Sequence, residues 1–206
     1  MIKVLGRNNS VNVQKVMWCA AELGVAVERV DIGGAFGGNH TDEFTAMNPN
    51  RSIPVLIDGD FVLWESNAIV RYLCAEYGHD YWNLQSTQEA GLAEQWMDWY
   101  LTTLHPPMRA LFWQLIRTAP AAREQDIINK AILDGAKLWE ILDHHLATRD
   151  FILGDQVSMA DIPLGCAAYR WHAMDFKRPD LPHLKAWWDR LVDRPAYREH
   201  VMIPLT

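Results

Sequence analysis

The spacing of apolar and polar positions changes character near residue 78. Up to there, short runs that read as strands are interleaved with helical spacings, whereas from residue 87 onward nearly every periodic segment is helical. Residues 2–6 read as a strand. Residues 11–23 follow with Val13, Val16, Met17, Ala20 and Leu23 at helical spacing, stopped by Gly24. Strand character resumes over 25–32, a glycine-rich loop fills 33–38, and 41–47 predict a short helix ahead of the Asn48-Pro49 break. Two short strands, 53–57 and 61–64, flank Asp58-Gly59, a strong hairpin signal. Ser66 is then placed to cap a helix that runs to about residue 76 and ends near Gly78.

That order predicts an α/β domain of thioredoxin-like type over 1–78, βαβαββα, with a mixed sheet: the βαβ unit supplies parallel strands and the hairpin an antiparallel edge. A linker at 79–86 leads to an all-α, helical C-terminal domain at 87–206. Helices are expected there at 88–103, 108–118, 124–147, 158–172 and 183–192, with breaks at Pro106-Pro107, Pro120, Gly154, Pro179 and Pro195.

Composition narrows the partners. A chain of 206 residues that is 50% hydrophobic can bury a substantial core. Its formal net charge of -7 and pI of 5.6 leave no positive field to draw phosphate backbones or anionic lipid. No secretory leader and no apolar run of ~20 residues is visible, so the expectation is a cytoplasmic protein with neither nucleic acid nor membrane as partner. Cys19, Cys74 and Cys166 lie far apart in sequence, with neither a CxxC pair nor a metal-ligand spacing, as expected of free buried thiols and no metal site.

Three segments carry candidate chemistry. In Arg7-Asn8-Asn9-Ser10-Val11-Asn12 a polar turn opens a helix whose first backbone N–H groups lack intrahelical partners and favour an anion. Lowering a thiol of pKa about 8.5 by two units needs roughly 2.7 kcal/mol. The helix end gives ~0.3–2 kcal/mol and one hydrogen bond to a charged group ~1.5–3, which together suffice, and Ser10 is placed to give that bond. A plain helix cap by Ser10 or Asn9 is the structural alternative. In Asn50-Arg51-Ser52-Ile53-Pro54 the proline cannot donate to a sheet; it is an ordinary edge-strand proline or, if cis, one that turns the Ile53 backbone toward a peptide ligand. In Trp64-Glu65-Ser66-Asn67 a carboxylate and a hydroxyl at a helix start can meet a ligand's ammonium and carboxylate, or simply cap the helix.

Asn50-Arg51-Ser52-Ile53-Pro54-Val55-Leu56 followed by Leu63-Trp64-Glu65-Ser66-Asn67-Ala68-Ile69 resembles the glutathione-binding signature of cytosolic glutathione transferases, and the resemblance spans nearly the whole chain. It implies a cis Pro54, pairing of the Ile53 backbone with the cysteinyl part of glutathione, and a γ-glutamyl end held by Glu65 and Ser66. Arg51, and more weakly Asn39 and His40, fall near the glycyl carboxylate. A lone loop histidine is also ordinary solvated surface. Ser10 matches the thiol-activating serine of the theta-, delta- and zeta-like classes, with Asn12 as a second polar contact to the sulfur. A first helix opening Asn9-Ser10-Val11-Asn12 departs from the Ser-Ser-Cys of zeta-like members. Ser158-Met159-Ala160-Asp161-Ile162 is similar to the family's buried capping box, a folding element.

The resemblance further implies a homodimer, with Arg71 and Asp98 at positions the family uses across its interface, although each also fits a solvated face. Chain order assigns the electrophile pocket to Tyr100, His105, Met108, Arg109, Phe112 and Trp113, where aromatics at helical spacing also fit a core. The expected reaction is conjugation of the glutathione thiolate to a hydrophobic electrophile, with glutathione as co-substrate and no cofactor. Glutathione-dependent isomerisation, dehalogenation or peroxide reduction starts from the same thiolate, and a non-catalytic ligand-binding protein would keep the same fold.

Overall fold

Strand β1 (Ile2–Leu5) is the hub of a four-stranded sheet in the computed structural model, which describes residues 1–206 apart from the side chain of Tyr81. It pairs in parallel with β2 (Val27–Val30) and antiparallel with β3 (Val55–Asp58), and β3 pairs antiparallel with β4 (Phe61–Trp64), giving the order β2-β1-β3-β4. The parallel step needs a crossover, and α1 (Val11–Glu22) supplies it. With α2 (Asp42–Met47) and α3 (Ser66–Tyr77) the order is βαβαββα, as the hydrophobic pattern predicts.

The sheet is filled on both faces. Leu5 and Val55 face each other in the ladder and bury against Phe44 of α2, while the next pair, Val4 and Leu56, points the other way and is equally buried. Helices α1 and α3 pack together. Strand β3 starts at Val55 and not at residue 53, because Pro54 has no N–H for the ladder. The Thr41 hydroxyl accepts from the Phe44 N–H at 3.2 Å and caps α2.

The chain divides into two units, Met1–Asn83 with Ala196–Ile203, and Leu84–Pro195 with Pro204–Thr206. The second holds α4 (Thr87–Trp99), α5 (His105–Phe112), α6 (Gln125–Leu146), α7 (Asp161–Ala173) and α8 (Pro182–Val192). The break expected at Pro106-Pro107 does not occur. A π turn, Tyr100–Leu104, carries α4 into α5, and the prolines fall in the first turn of α5, where a missing N–H costs least. Pro195 likewise opens a helix, α9 (Pro195–His200), instead of ending one. Sequence pattern assigns this end to the helical part, but Tyr197 buries its ring edge-on against Trp18, centroids 4.8 Å apart, so Ala196–Ile203 groups with the first unit.

The Ser158–Asp161 element keeps the aspartate's return bond to the Ser158 N–H, as the buried capping box implies, and departs from it in the serine's part. Helix α7 begins at Asp161, and its carboxylate accepts from the Ser158 N–H and hydroxyl, the Ile152 N–H and the Trp187 indole. The serine donates where a capping serine would accept. Among the described residues, no helix is long and apolar enough to cross a membrane.

Candidate active site

The turn after β1 is fixed by two backbone bonds, Gly6 N–H to Val30 and Arg7 N–H to Ile32. Gly6 sits where three segments meet: a β-carbon there would lie 2.5 Å from Val13 Cγ2 and 3.3 Å from Ile53 Cβ. Only glycine lets the start of α1 and the residue before Pro54 approach the end of β1 this closely. The Ile53-Pro54 bond is cis, and Ile53 stands outside the β3 ladder, so sheet pairing does not consume its backbone groups.

Ser10 occupies the N-cap of α1 in an extended conformation, and its carbonyl accepts from the Gln14 N–H at 2.9 Å. Its hydroxyl makes no capping bond and is partly exposed. The site of the hydroxyl is therefore that of a cap, without the cap's hydrogen bond. Asn12, in the first turn, is partly exposed, and its Oδ1 accepts from Lys15 Nζ at 3.1 Å.

Glu65, not Ser66, is the N-cap of α3, with φ 73°, ψ 111° and no side-chain capping bond. Such a φ is uncommon for a residue with a β-carbon and marks local strain that the surrounding strand and helix impose. The exposed carboxylate is free to meet a ligand. Ser66 is the first helical residue, buried, and its Oγ lies 3.4 Å from Lys15 Nζ; the Oδ1 of the neighbouring Asn67 lies equally close to the same ammonium. Lys15 and Asn67 were not among the residues singled out from the sequence. The available signal was a lysine inside the buried stripe of α1, between Val13 and Val16.

Asn39 donates to the Arg51 carbonyl at 2.8 Å, bringing together two residues expected at the glycyl end, and His40, next to Asn39 in sequence, is exposed. Arg51 has φ 55°. In the second unit the six proposed pocket residues separate. Tyr100, Met108 and Phe112 are buried, the Tyr100 hydroxyl contacts His105 Nδ1 at 3.1 Å, and burial raises the Tyr100 phenol above its ordinary pKa. The Arg170 guanidinium lies 3.9 Å from the Phe112 ring centroid. Arg109 and Trp113 are exposed instead, and they line a cleft of about 370 Å³ with Pro106, Ala110, Gln114 and Ile127. Arg71 is partly buried on α3 and Asp98 exposed on α4.

Cys19 and Cys74, 55 positions apart, meet between α1 and α3 with sulfurs 3.7 Å apart. The contact with Cys74, then burial, holds the Cys19 thiol well above its ordinary pKa, so it is a poor nucleophile.

Residues 1–75 match the family model of the Glutathione S-transferase, N-terminal domain, and residues 98–195 that of the C-terminal domain. Glutathione S-transferase GstB of Escherichia coli (strain K12) is 39% identical over 208 residues, covering all of both chains. The chain belongs to the glutathione S-transferase family. Glutathione S-transferase 3 of Zea mays is 31% identical over 222 residues, 99% of this chain and 95% of its own. The theta class glutathione S-transferase of Xanthomonas axonopodis pv. citri, solved with glutathione bound, superposes with a TM-score of 0.94 at 46% identity over 100% of this chain and 99% of its own. The mixed sheet with its helical partner unit is the glutathione S-transferase fold, and the chain is a glutathione transferase.

Proposed function

We propose that this transferase holds glutathione along the edge formed by the turn after β1, the residues before Pro54 and the start of α3, and adds its thiolate to a hydrophobic electrophile. The observation that carries the reading is Ser10 at the mouth of α1 with its hydroxyl out of the capping bond. A sulfur beside it gains one hydrogen bond and the field of the helix N-terminus, both of which favour the anion. Asn12 offers a second polar contact. The Ile53 backbone pairs with the cysteinyl residue, Glu65 takes the γ-glutamyl ammonium, Ser66 its carboxylate, and Arg51, Asn39 and His40 serve the glycyl end.

Catalysis then consists of presenting an ionised, oriented nucleophile. The thiolate is itself the reacting group, so the proposal uses glutathione as co-substrate and calls on no metal or redox cofactor. For the electrophile, exposure favours Arg109 and Trp113, with His105 at their side in sequence; Tyr100, Met108 and Phe112 act as the packed support beneath them. The same reading places the enzyme in the cytoplasm as a homodimer that uses Arg71 and Asp98 at its interface.

The deciding experiment is an ultraviolet difference titration of bound glutathione, wild type against Ser10→Ala. The wild type is expected to depress the thiol pKa below that of the free tripeptide, and the alanine variant to return it toward the free value with kcat/KM reduced about 10- to 100-fold, the worth of one hydrogen bond to a charged group. Binding without a pKa change would rule out thiolate stabilisation by Ser10.

A further inference from the structure

Lys15 is a buried lysine at the glutathione site to which the reading above gives no task. Its side chain is fully buried in α1. Its Nζ donates to three side-chain oxygens: Asn12 Oδ1 at 3.1 Å, Ser66 Oγ at 3.4 Å and Asn67 Oδ1 at 3.4 Å. Three donated bonds use all three N–H groups of an ammonium, one more than a neutral amine possesses. Removing such a cation from water is costly unless its protons are all placed, and the first turns of α1 and α3 place them.

A lysine can only donate, and this constrains its partners. Because Asn12 turns Oδ1 toward Nζ, its amide N–H groups are on the other edge of the side chain. Because a Ser66 lone pair is taken by Lys15, the Ser66 proton has to be given elsewhere. These two residues are those assigned to the sulfur and to the γ-glutamyl carboxylate, both of which are anions that need donors.

We propose that Lys15 is the positioning residue of the glutathione site, a buried cation that turns the donor faces of Asn12 and Ser66 together toward the thiolate and the γ-glutamyl carboxylate. This inference rests on the function proposed above and adds to it a physical link between the two ends of the tripeptide site. Asn67 is the third anchor that holds the ammonium in place. As a charged donor, Lys15 also polarises the Ser66 hydroxyl that it touches.

The test compares wild type and Lys15→Met, a side chain of similar length without charge or donors. The dissociation constant of S-methylglutathione, which has no thiol to ionise, reads the γ-glutamyl end, and ultraviolet titration of bound glutathione reads the sulfur end. The expected result is an S-methylglutathione Kd raised about ten-fold, the loss of one charge-assisted donor, and a thiolate pKa moved up toward that of free glutathione. A folded Lys15→Met that differs from wild type only in melting temperature overturns the proposal, because a purely structural lysine would leave both ligand readouts in place. If Lys15→Met does not fold, the wild type labelled with [15N]lysine decides. The slowly exchanging ammonium signal that burial gives Lys15 is expected to shift on adding S-methylglutathione and again on adding glutathione, and indifference to both refutes the idea. A wild type that binds glutathione without lowering its pKa sinks the Ser10 mechanism, while the S-methylglutathione comparison still judges Lys15.

Discussion

Glu65 carries the clearest conflict between local preference and site geometry. Its φ of 73° favours glycine, yet a carboxylate stands there, exposed at the start of α3. Replacing Glu65 by glycine relieves the backbone and is expected to raise unfolding stability by about 1 kcal/mol in chemical denaturation. The same change removes the group assigned to the γ-glutamyl ammonium, so isothermal titration is expected to show glutathione affinity at least about ten-fold weaker, the loss of a charge-assisted bond. Stability and affinity moving in the same direction would contradict this assignment. Ser66 shows the opposite limit of reading residues singly: its composition suits a cap, but the chain turns one residue earlier, and burial against Lys15 leaves its hydroxyl for other work.

Helix α7 shows how an element is held by groups that sequence spacing only hints at. Its buried Asp161 gathers four bonds from three residues, Ile152 and Ser158 before the helix and Trp187 of α8. At its other end the His172 ring stacks on Trp188 at 4.1 Å and 11°. Burial, followed by the cations of Arg178 and Lys185, lowers the His172 pKa from 6.5 to about 4. The folded value lies below the unfolded one, so the contribution of neutral His172 is complete above pH 6.5 and is lost as pH falls through about 4. Thermal midpoints of the wild type are therefore expected to decline over that window. His172→Phe keeps a flat ring against Trp188 without a titrating group and is expected to show a smaller decline; equal declines in both proteins would assign the acid sensitivity elsewhere. The π turn at Tyr100–Leu104 belongs at this scale too, because two adjacent prolines read as a break when they open the next helix.

Across the whole molecule, the C-terminal segment does more than end the helical part. Tyr197 and Val201 are completely buried, and Tyr197 packs on Trp18, three positions after Lys15 on α1. Deleting residues 196–206 is expected to destabilise the first unit by about 3–5 kcal/mol, the usual cost of removing a large buried aromatic ring. Scanning calorimetry should show its transition moving down, and Cys19, wholly buried in the intact chain, should become reactive to a thiol reagent. An unchanged transition would show that Ala196–Ile203 contributes nothing to that unit's stability.

Hydrophobic periodicity determined the order of elements, since a period of 2 or 3.6 is written into neighbouring residues and needs no partner to be read. The strands of β1 and β4, the helical run of α1 and the Asp58-Gly59 hairpin follow from it. The Pro54 and Glu65-Ser66 segments were legible for the same reason, each being a local pattern of residue types. Tertiary structure alone decided the rest. It set the Cys19–Cys74 contact, the return of Tyr197 to Trp18 and the bonds from Lys15 to Ser66 and Asn67, all of which join positions more than 50 residues apart. It also decided which of the aromatics between Tyr100 and Trp113 are core and which face solvent, because helical spacing fixes a face while only the packed neighbours determine whether water reaches it.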